Sequence, residues 1–478
     1  MGVRQFRMIS RLRPMIDPKA PSMKDSVWLR AAAGWNRWTD ASANRGIFAA
    51  AVTIGVFTVL AKIVTVAKDL VVARTFGTSD AVDAFLIALL LPSFAIAVVA
   101  GSLNSALIPV FVRVRDAAGA GQRLLSNLTL VSLALLGALM FLMAVLSPVL
   151  LSLLGSGFSA EKMALTRALY FMLIPTLVIY GLSTTWSAVL NAERRFALAS
   201  LTPGITPAAT IGALTVLGFR WGIYSLAAGT LGGLFLEAVV LGWALKRRGF
   251  DLRPRWHGLD PATREVIWQF APLVAGGLLM SGSTVINQSM AAVLGSGSVA
   301  TLNYGNKIIT FTIGVGSLAI GTAVLPFFSR MIAAADWAGT RHTFHTYVRL
   351  LAIITIPLTL LLVWTAEPLT RLLFERGNFT AADTRIVSRV MICYTFQLPF
   401  YMIGIVGVRL LNALGKGRSV MIISVVNLIA NVAGNYLLMR PLGVAGIAAS
   451  TTTVYFVSCL QILFVTTREL RRREGTHS

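Results

Sequence analysis

The sequence predicts an all-α membrane protein, with about twelve transmembrane helices in two parallel six-helix lobes around a central cavity. Three observations carry that expectation. Long apolar runs recur from Ile47 to the end, basic residues fall in alternate loops, and a repeat relates the two halves of the chain.

The apolar runs follow from composition. Hydrophobic residues make up 56% of the 478 and charged residues 13%, against about 25% charged in an average soluble domain. A mean hydropathy of +0.75 fits a chain solvated mostly by lipid. Since roughly 20 apolar residues span a bilayer, the runs divide at 47–74, 81–112, 126–154, 162–191, 198–219, 222–246, 264–294, 297–329, 342–373, 382–413, 418–439 and 443–467.

The net charge of +23 is a topology signal rather than a nucleic-acid footprint. Nine basic residues precede the first span, and Arg113, Arg115, Arg123, Arg194, Arg195, Lys246, Arg247, Arg248, Arg253 and Arg255 continue the bias in the even-numbered loops. The opposite loops, such as Thr75–Asp80 and Gly155–Ala160, are short and nearly neutral. By the positive-inside rule both termini are cytoplasmic, as expected of an inner-membrane protein. Residues 1–46 read as a basic cytoplasmic extension. No cleavable signal precedes Ile47, and Trp28, Trp35 and Trp38 sit at helical spacing as if on an interfacial helix.

Cysteine and histidine suggest no metal or cofactor. Cys393 and Cys459 lie inside predicted spans, and His342 and His345 have no acidic or cysteine partner nearby.

The repeat runs at an offset of about 217 to 221 residues. Ala106-Leu107-Ile108-Pro109 answers Ala323-Val324-Leu325-Pro326, and Gly157-Phe158-Ser159-Ala160 answers Asn378-Phe379-Thr380-Ala381. Leu190-Asn191-Ala192 answers Leu411-Asn412-Ala413, and Gly222-Ile223 answers Gly443-Val444. An even number of spans per half makes the repeats parallel, with substrate bound between lobes that rock. The expected divisions are an N-lobe at 47–246, a cytoplasmic linker at 247–262, a C-lobe at 263–468 and a basic tail at 469–478.

Buried charge points to the site. An ionisable side chain at a helix centre costs roughly 2.5–3.5 kcal/mol on insertion scales. Lys62, Lys68, Asp69 and Arg74 all lie in the first span, Asp83 begins the second, and Lys307 enters the eighth. Lys62, Lys68 and Lys307 would make an interlobe cavity positive, with Arg74 snorkelling at the interface. Lys68 and Asp69 are adjacent on a helix and are expected to point apart without neutralising each other. Asn427, Asn431 and Asn435 form one polar face of the eleventh span, suited to helix packing or to a secondary substrate contact. Glu237, Glu367 and Arg409 read as structural.

At these residues the chain resembles the MurJ/MviN-type lipid flippases of the MOP superfamily, from about Ile47 to about Leu470. The stretches that carry the resemblance are Lys68-Asp69-Leu70-Val71-Val72-Ala73-Arg74-Thr75-Phe76-Gly77, Asp83-Ala84-Phe85 with Leu91-Pro92, Gly314-Val315-Gly316 with Gly321-Thr322-Ala323-Val324-Leu325-Pro326, and Phe374-Glu375-Arg376-Gly377-Asn378-Phe379-Thr380. The resemblance implies two six-helix lobes around a cationic cavity and the flipping of an undecaprenyl-pyrophosphate-linked glycan, without enzymatic chemistry or a cofactor. It places the family's functional charges at Lys62, Lys68, Asp83 and Lys307, the lysines standing where arginine is usual. It implies a lipid-linked oligosaccharide and membrane lipids as partners, with a glycan polymerase or glycosyltransferases beside them.

The chain also departs from the peptidoglycan members of that family. Their basic pair and acidic residue after the Leu-Pro of the second span are replaced here by Phe94-Ala95-Ile96-Ala97 and Ala100-Gly101. The two further C-terminal helices common among them are not expected after the last span, and no carboxylate in spans seven or eleven suggests a sodium site. These departures shift weight from a lipid II-like precursor toward an exopolysaccharide or other repeat unit on the same lipid carrier. A MATE-like multidrug antiporter is the alternative that shares the architecture, but organic cations call for buried carboxylates where this chain has lysines.

Overall fold

The computed structural model describes residues 43–114, 119–193 and 195–477. The N-terminal extension before residue 43, with the interfacial helix expected around Trp28–Trp38, lies outside the described residues. Residues 43–58 form the first part of helix α1 (Ala43–Phe76) and group apart from Val59–Ser478, the compact unit to which the rest of the description refers.

Among the described residues the fold is helical throughout, with no strand. Ten helical segments are long and apolar enough to cross a membrane. To these add α1 and α11 (Ser298–Ala333), at 34 and 36 residues, so helix occupies each of the roughly twelve expected spans. Apolar side chains such as Phe141, Val216, Phe219, Trp268 and Trp364 are exposed on the outside of the bundle. That surface would be a liability in water and suits lipid.

Several spans are broken, and the breaks repeat. The third span divides at Leu146 into α3 (Ala120–Val145) and α4 (Ser147–Leu154), where Pro148 falls in the first turn of α4 and cannot continue the ladder. The fourth divides at Pro175 into α5 (Ala160–Leu173) and α6 (Thr176–Ala192). In the second half, α12 (Trp337–Trp364) meets α13 (Ala366–Phe374) at Thr365, and α14 (Ala381–Thr395) meets α15 (Gln397–Ala413) at Phe396.

The caps and turns repeat as well. The Ser159 hydroxyl accepts the Lys162 N–H at the start of α5, and Thr380 does the same for Asp383 at the start of α14. Gly222, between α8 (Ile205–Trp221) and α9 (Ile223–Lys246), has φ 49° and ψ −129°. Gly443, between α16 (Gly417–Leu442) and α17 (Val444–His477), has φ 58° and ψ −135°. The sequence repeat is therefore also a repeat of backbone geometry.

Helix α2 (Asp80–Val114) packs along α10 (Pro261–Ala292), bringing together the second helix of one half and the first of the other. The segment between Arg247 and Asp260 has no helix beyond its first turn and is pinned to the start of α3. Gln122 Nε2 donates to Asp251 O at 2.6 Å, Ser126 Oγ accepts the Arg255 N–H at 2.8 Å, and Asn127 Nδ2 donates to Gly258 O at 2.9 Å. These bonds satisfy a backbone that has no helix of its own.

Candidate functional site

The charged residues of α1 and α11 meet inside the bundle. Lys68 Nζ lies 2.8 Å from Asp69 Oδ1, and Lys307 Nζ lies 3.0 Å from Asp69 Oδ2. Asp69 is only 8% exposed, so one buried carboxylate bridges two ammonium groups from opposite halves of the chain. This corrects the expectation that Lys68 and Asp69 cannot neutralise each other. Their Cβ atoms do diverge on the helix, but the flexible four-carbon lysine stem carries Nζ back to its neighbour.

The triad lines a cavity of about 420 Å³ walled by α1, α2, α10 and α11, with one residue from α9. Ser93, Ser281, Thr284, Gln288 and Asn303 supply polar groups, while Phe85, Phe94 and Leu226 supply apolar surface. The lining carries two positive charges and one negative, a net charge of +1 held in pre-formed ion pairs. An incoming oxyanion could take over either lysine while Asp69 keeps the other.

Lys62 stands outside that lining. It lies six residues before Lys68, about 9 Å along α1, and its Nζ would be 3.5 Å from a Cβ built on Gly314 of α11. It makes no ion pair among the described residues and is half-buried. The cationic track therefore extends from the triad along the seam between α1 and α11.

Asp83 also lies apart from the cavity lining. It is fully buried, with Oδ2 2.7 Å from Lys162 Nζ and Oδ1 accepting the Ala300 N–H at 2.7 Å. Ala300 is in the first turn of α11, where free N–H groups attract an anion. Lys162, itself buried, also reaches Asp80 Oδ1 at 2.5 Å and sits over the Phe158 ring at 4.0 Å. Sequence reasoning missed Lys162. The signal available was a lysine in the first turn of a span, in a short loop region whose neighbour begins with Asp80 and Asp83.

The same end of the bundle is sealed by backbone contact between the halves. The Asn378 N–H donates to Arg74 O at 2.9 Å, Asn378 Nδ2 donates to Thr75 O at 2.6 Å, and the Thr78 hydroxyl donates to Asp383. Gly77 (φ 58°) and Gly377 (φ 63°) allow this approach: a Cβ on Gly77 would stand 2.4 Å from Asn378 O, and one on Gly377 2.3 Å from Arg74 O. Tyr304, Phe374 and Phe379 pack behind the turns with ring centroids 5.4 to 5.7 Å apart.

Asn427 and Asn435 bond to neighbouring helices, and none of the three asparagines lines the cavity. Asn427 Nδ2 donates to Ser458 Oγ at 2.8 Å, Asn435 Nδ2 donates to Asn287 Oδ1 at 2.7 Å, and Asn431 O accepts from Ser450. Arg74 is exposed at its helix end, and Glu367 pairs with Arg371 at 3.1 Å. Among the described residues no cluster of His, Cys, Asp and Glu could hold a metal.

The family described as Lipid II flippase MurJ matches residues 72–477. The chain belongs to the MurJ lipid II flippase family. Its relatives include a probable lipid II flippase MurJ of Synechocystis sp., 28% identical over 437 residues, 87% of this chain and 81% of that one. Among solved structures, a lipid II flippase MurJ in an inward closed conformation aligns with a TM-score of 0.75 at 23% identity, covering 87% of each chain. An inward-facing MATE-family multidrug transporter aligns with the same TM-score at 14% identity, covering 90% of this chain and all of the other. These likenesses show the MOP fold. The MurJ family assignment makes this chain a multi-pass membrane transporter of lipid-linked precursors, rather than an enzyme.

Proposed function

We propose that this protein flips an undecaprenyl-pyrophosphate-linked glycan of the peptidoglycan-precursor type across the inner membrane by alternating access. The observation that carries the reading is the Lys68–Asp69–Lys307 triad inside a cavity between the halves. A pyrophosphate must shed water to enter, and two ammonium groups facing the cavity, with side chains 25% and 34% exposed, offset that cost. Lysine engages the phosphates as a point charge, without the bidentate fork of arginine.

The lobes that rock are residues 47–246 and 263–468, joined by the linker at 247–262. With the basic loops and both termini in the cytoplasm, the sealed end is periplasmic. Asp83 acts there as a clasp, holding α11 closed while substrate loads from the cytoplasmic side. Lys62 continues the cationic track below the triad.

The neutral wall at Ser93, Phe94 and Ala97 favours a second reading, in which the glycan is an exopolysaccharide repeat unit on the same carrier. A glycan polymerase or glycosyltransferases would then be the protein partners. The test is binding of undecaprenyl pyrophosphate to the purified protein, with lipid II and an exopolysaccharide lipid as competitors. Binding that depends on Lys307 supports the anion site, the stronger competitor identifies the glycan, and no binding by wild type refutes the reading.

A further inference from the structure

A second cavity of about 500 Å³ shares Leu89, Ser93 and Ala97 with the first but lies within the N-terminal half. Hydroxyls dominate its polar lining: Thr176, Tyr180, Thr184, Thr206 and Thr230. Behind Thr206 stands Glu237 of α9, whose Oε2 accepts the Thr206 hydroxyl at 3.0 Å. Glu237 is 6% exposed and has no cationic partner among the described residues.

Helix α9 packs on α8, α6, α5, α2 and the turn Thr202–Gly204. The titratable group of α6 is Tyr180, in the cavity itself. That of α8 is Arg220, 14 residues beyond Thr206 and so about 21 Å along the helix. On α5, Glu161 and Arg167 are exposed, Lys162 is committed to Asp80 and Asp83, and the Tyr170 hydroxyl donates to Met143 O. On α2, Asp80 and Asp83 pair with Lys162, and Arg113 pairs with Glu265 at 2.5 Å. On α9 itself, Tyr224 and Lys246 lie toward the two ends, and the turn adds none.

A carboxylate in this setting has two ways to avoid a bare buried charge: a cation, or a proton. Sodium requires a cage of oxygens, whereas Glu237 has one hydroxyl as its bonded partner. We propose that Glu237 is a proton-binding site of the transporter, exchanging a proton with water in the hydroxyl-lined cavity. The proton adds to a carboxylate oxygen to give a neutral carboxyl, and leaves as hydronium when the cavity hydrates. The bond to Thr206, which lines the cavity, links the group to the cavity in either form. Because Ser93 and Ala97 separate this cavity from the lysine triad, movement of α2 during transport would alter both. Coupling of the proton to transport rests on the proposed flippase cycle, but the site itself does not.

The experiment is infrared titration of the full-length protein in lipid bilayers. Wild type should show a protonated-carboxyl C=O band that disappears as pH rises. Glu237→Gln, which is nearly isosteric, should lack it, and Thr206→Val should shift it by removing its hydrogen bond. A wild type without a titrating band, or a band that persists in Glu237→Gln, would overturn the proposal. So would a band removed by Na+ at constant pH, which would make the ligand sodium. Undecaprenyl pyrophosphate binding, measured in parallel, should survive Glu237→Gln and be lost in Lys307→Gln. Failure of the binding arm alone therefore leaves the proton site standing.

Discussion

Lys307 Nζ of α11 lies 3.0 Å from Asp69 Oδ2 of α1, joining the leading helices of the two halves across the central cavity. The same carboxylate holds Lys68 at 2.8 Å. Buried Asp69 compensates two partly exposed ammonium groups at once, so an anion entering the cavity could draw either lysine away.

Lys307→Gln should abolish rescue of a strain depleted of its own flippase, with the protein still present in the membrane at normal level. Lys307→Arg should rescue, since charge is kept and the guanidinium can bind phosphate bidentately. Asp69→Asn should also impair transport, by leaving two ammonium groups facing each other. Growth rescue, with abundance checked by immunoblot, is the measurement. Wild-type growth with Lys307→Gln would remove the triad from the mechanism.

Lys162→Met should destabilise the protein strongly. It strands the fully buried Asp83 with one backbone N–H and no cation, and breaking a buried pair costs about 3–5 kcal/mol. The double variant Lys162→Met/Asp83→Asn should recover much of that loss. Thermal unfolding in detergent reads both effects, and equal midpoints for the single variant and wild type would show that the pair carries no stability.

The architecture is legible because lipid imposes a simple code: apolar length gives the spans and a fixed offset gives the repeat. The triad was half legible. Lys68, Asp69 and Lys307 were picked out by the cost of burying charge, but their mutual pairing depends on how a lysine stem folds and on where α11 crosses α1, and no helical spacing encodes either. Asp83 reads from the sequence as a cavity charge, but it lies outside the cavity lining, and its partners Lys162 and Ala300 come from distant segments. Glu237 read as structural because its isolation is a property of five packed elements. An absence of partners cannot be seen along a sequence.

Sidedness makes a separate prediction. A single cysteine at Asn378 should react with a membrane-impermeant maleimide added from the periplasm, whereas one at Arg253 should react only after the membrane is permeabilised. The reverse labelling would invert the topology and turn the sealed end toward the cytoplasm.

The sealed turns should open and close during transport. Thr78 and Asp383 are hydrogen-bonded across the two halves, so cysteines at both positions should cross-link readily in the conformation described here. The disulfide should arrest growth rescue, and a reductant should restore it, because alternating access requires these turns to part. Gly77→Val should lower the cross-linking yield. A side chain there meets Asn378 O at 2.4 Å and must also adopt a positive φ, which costs roughly 1–2 kcal/mol for a residue with a Cβ. A cross-linked protein that still transports at the wild-type rate would mean that these turns stay closed throughout the cycle, and that substrate leaves by another route.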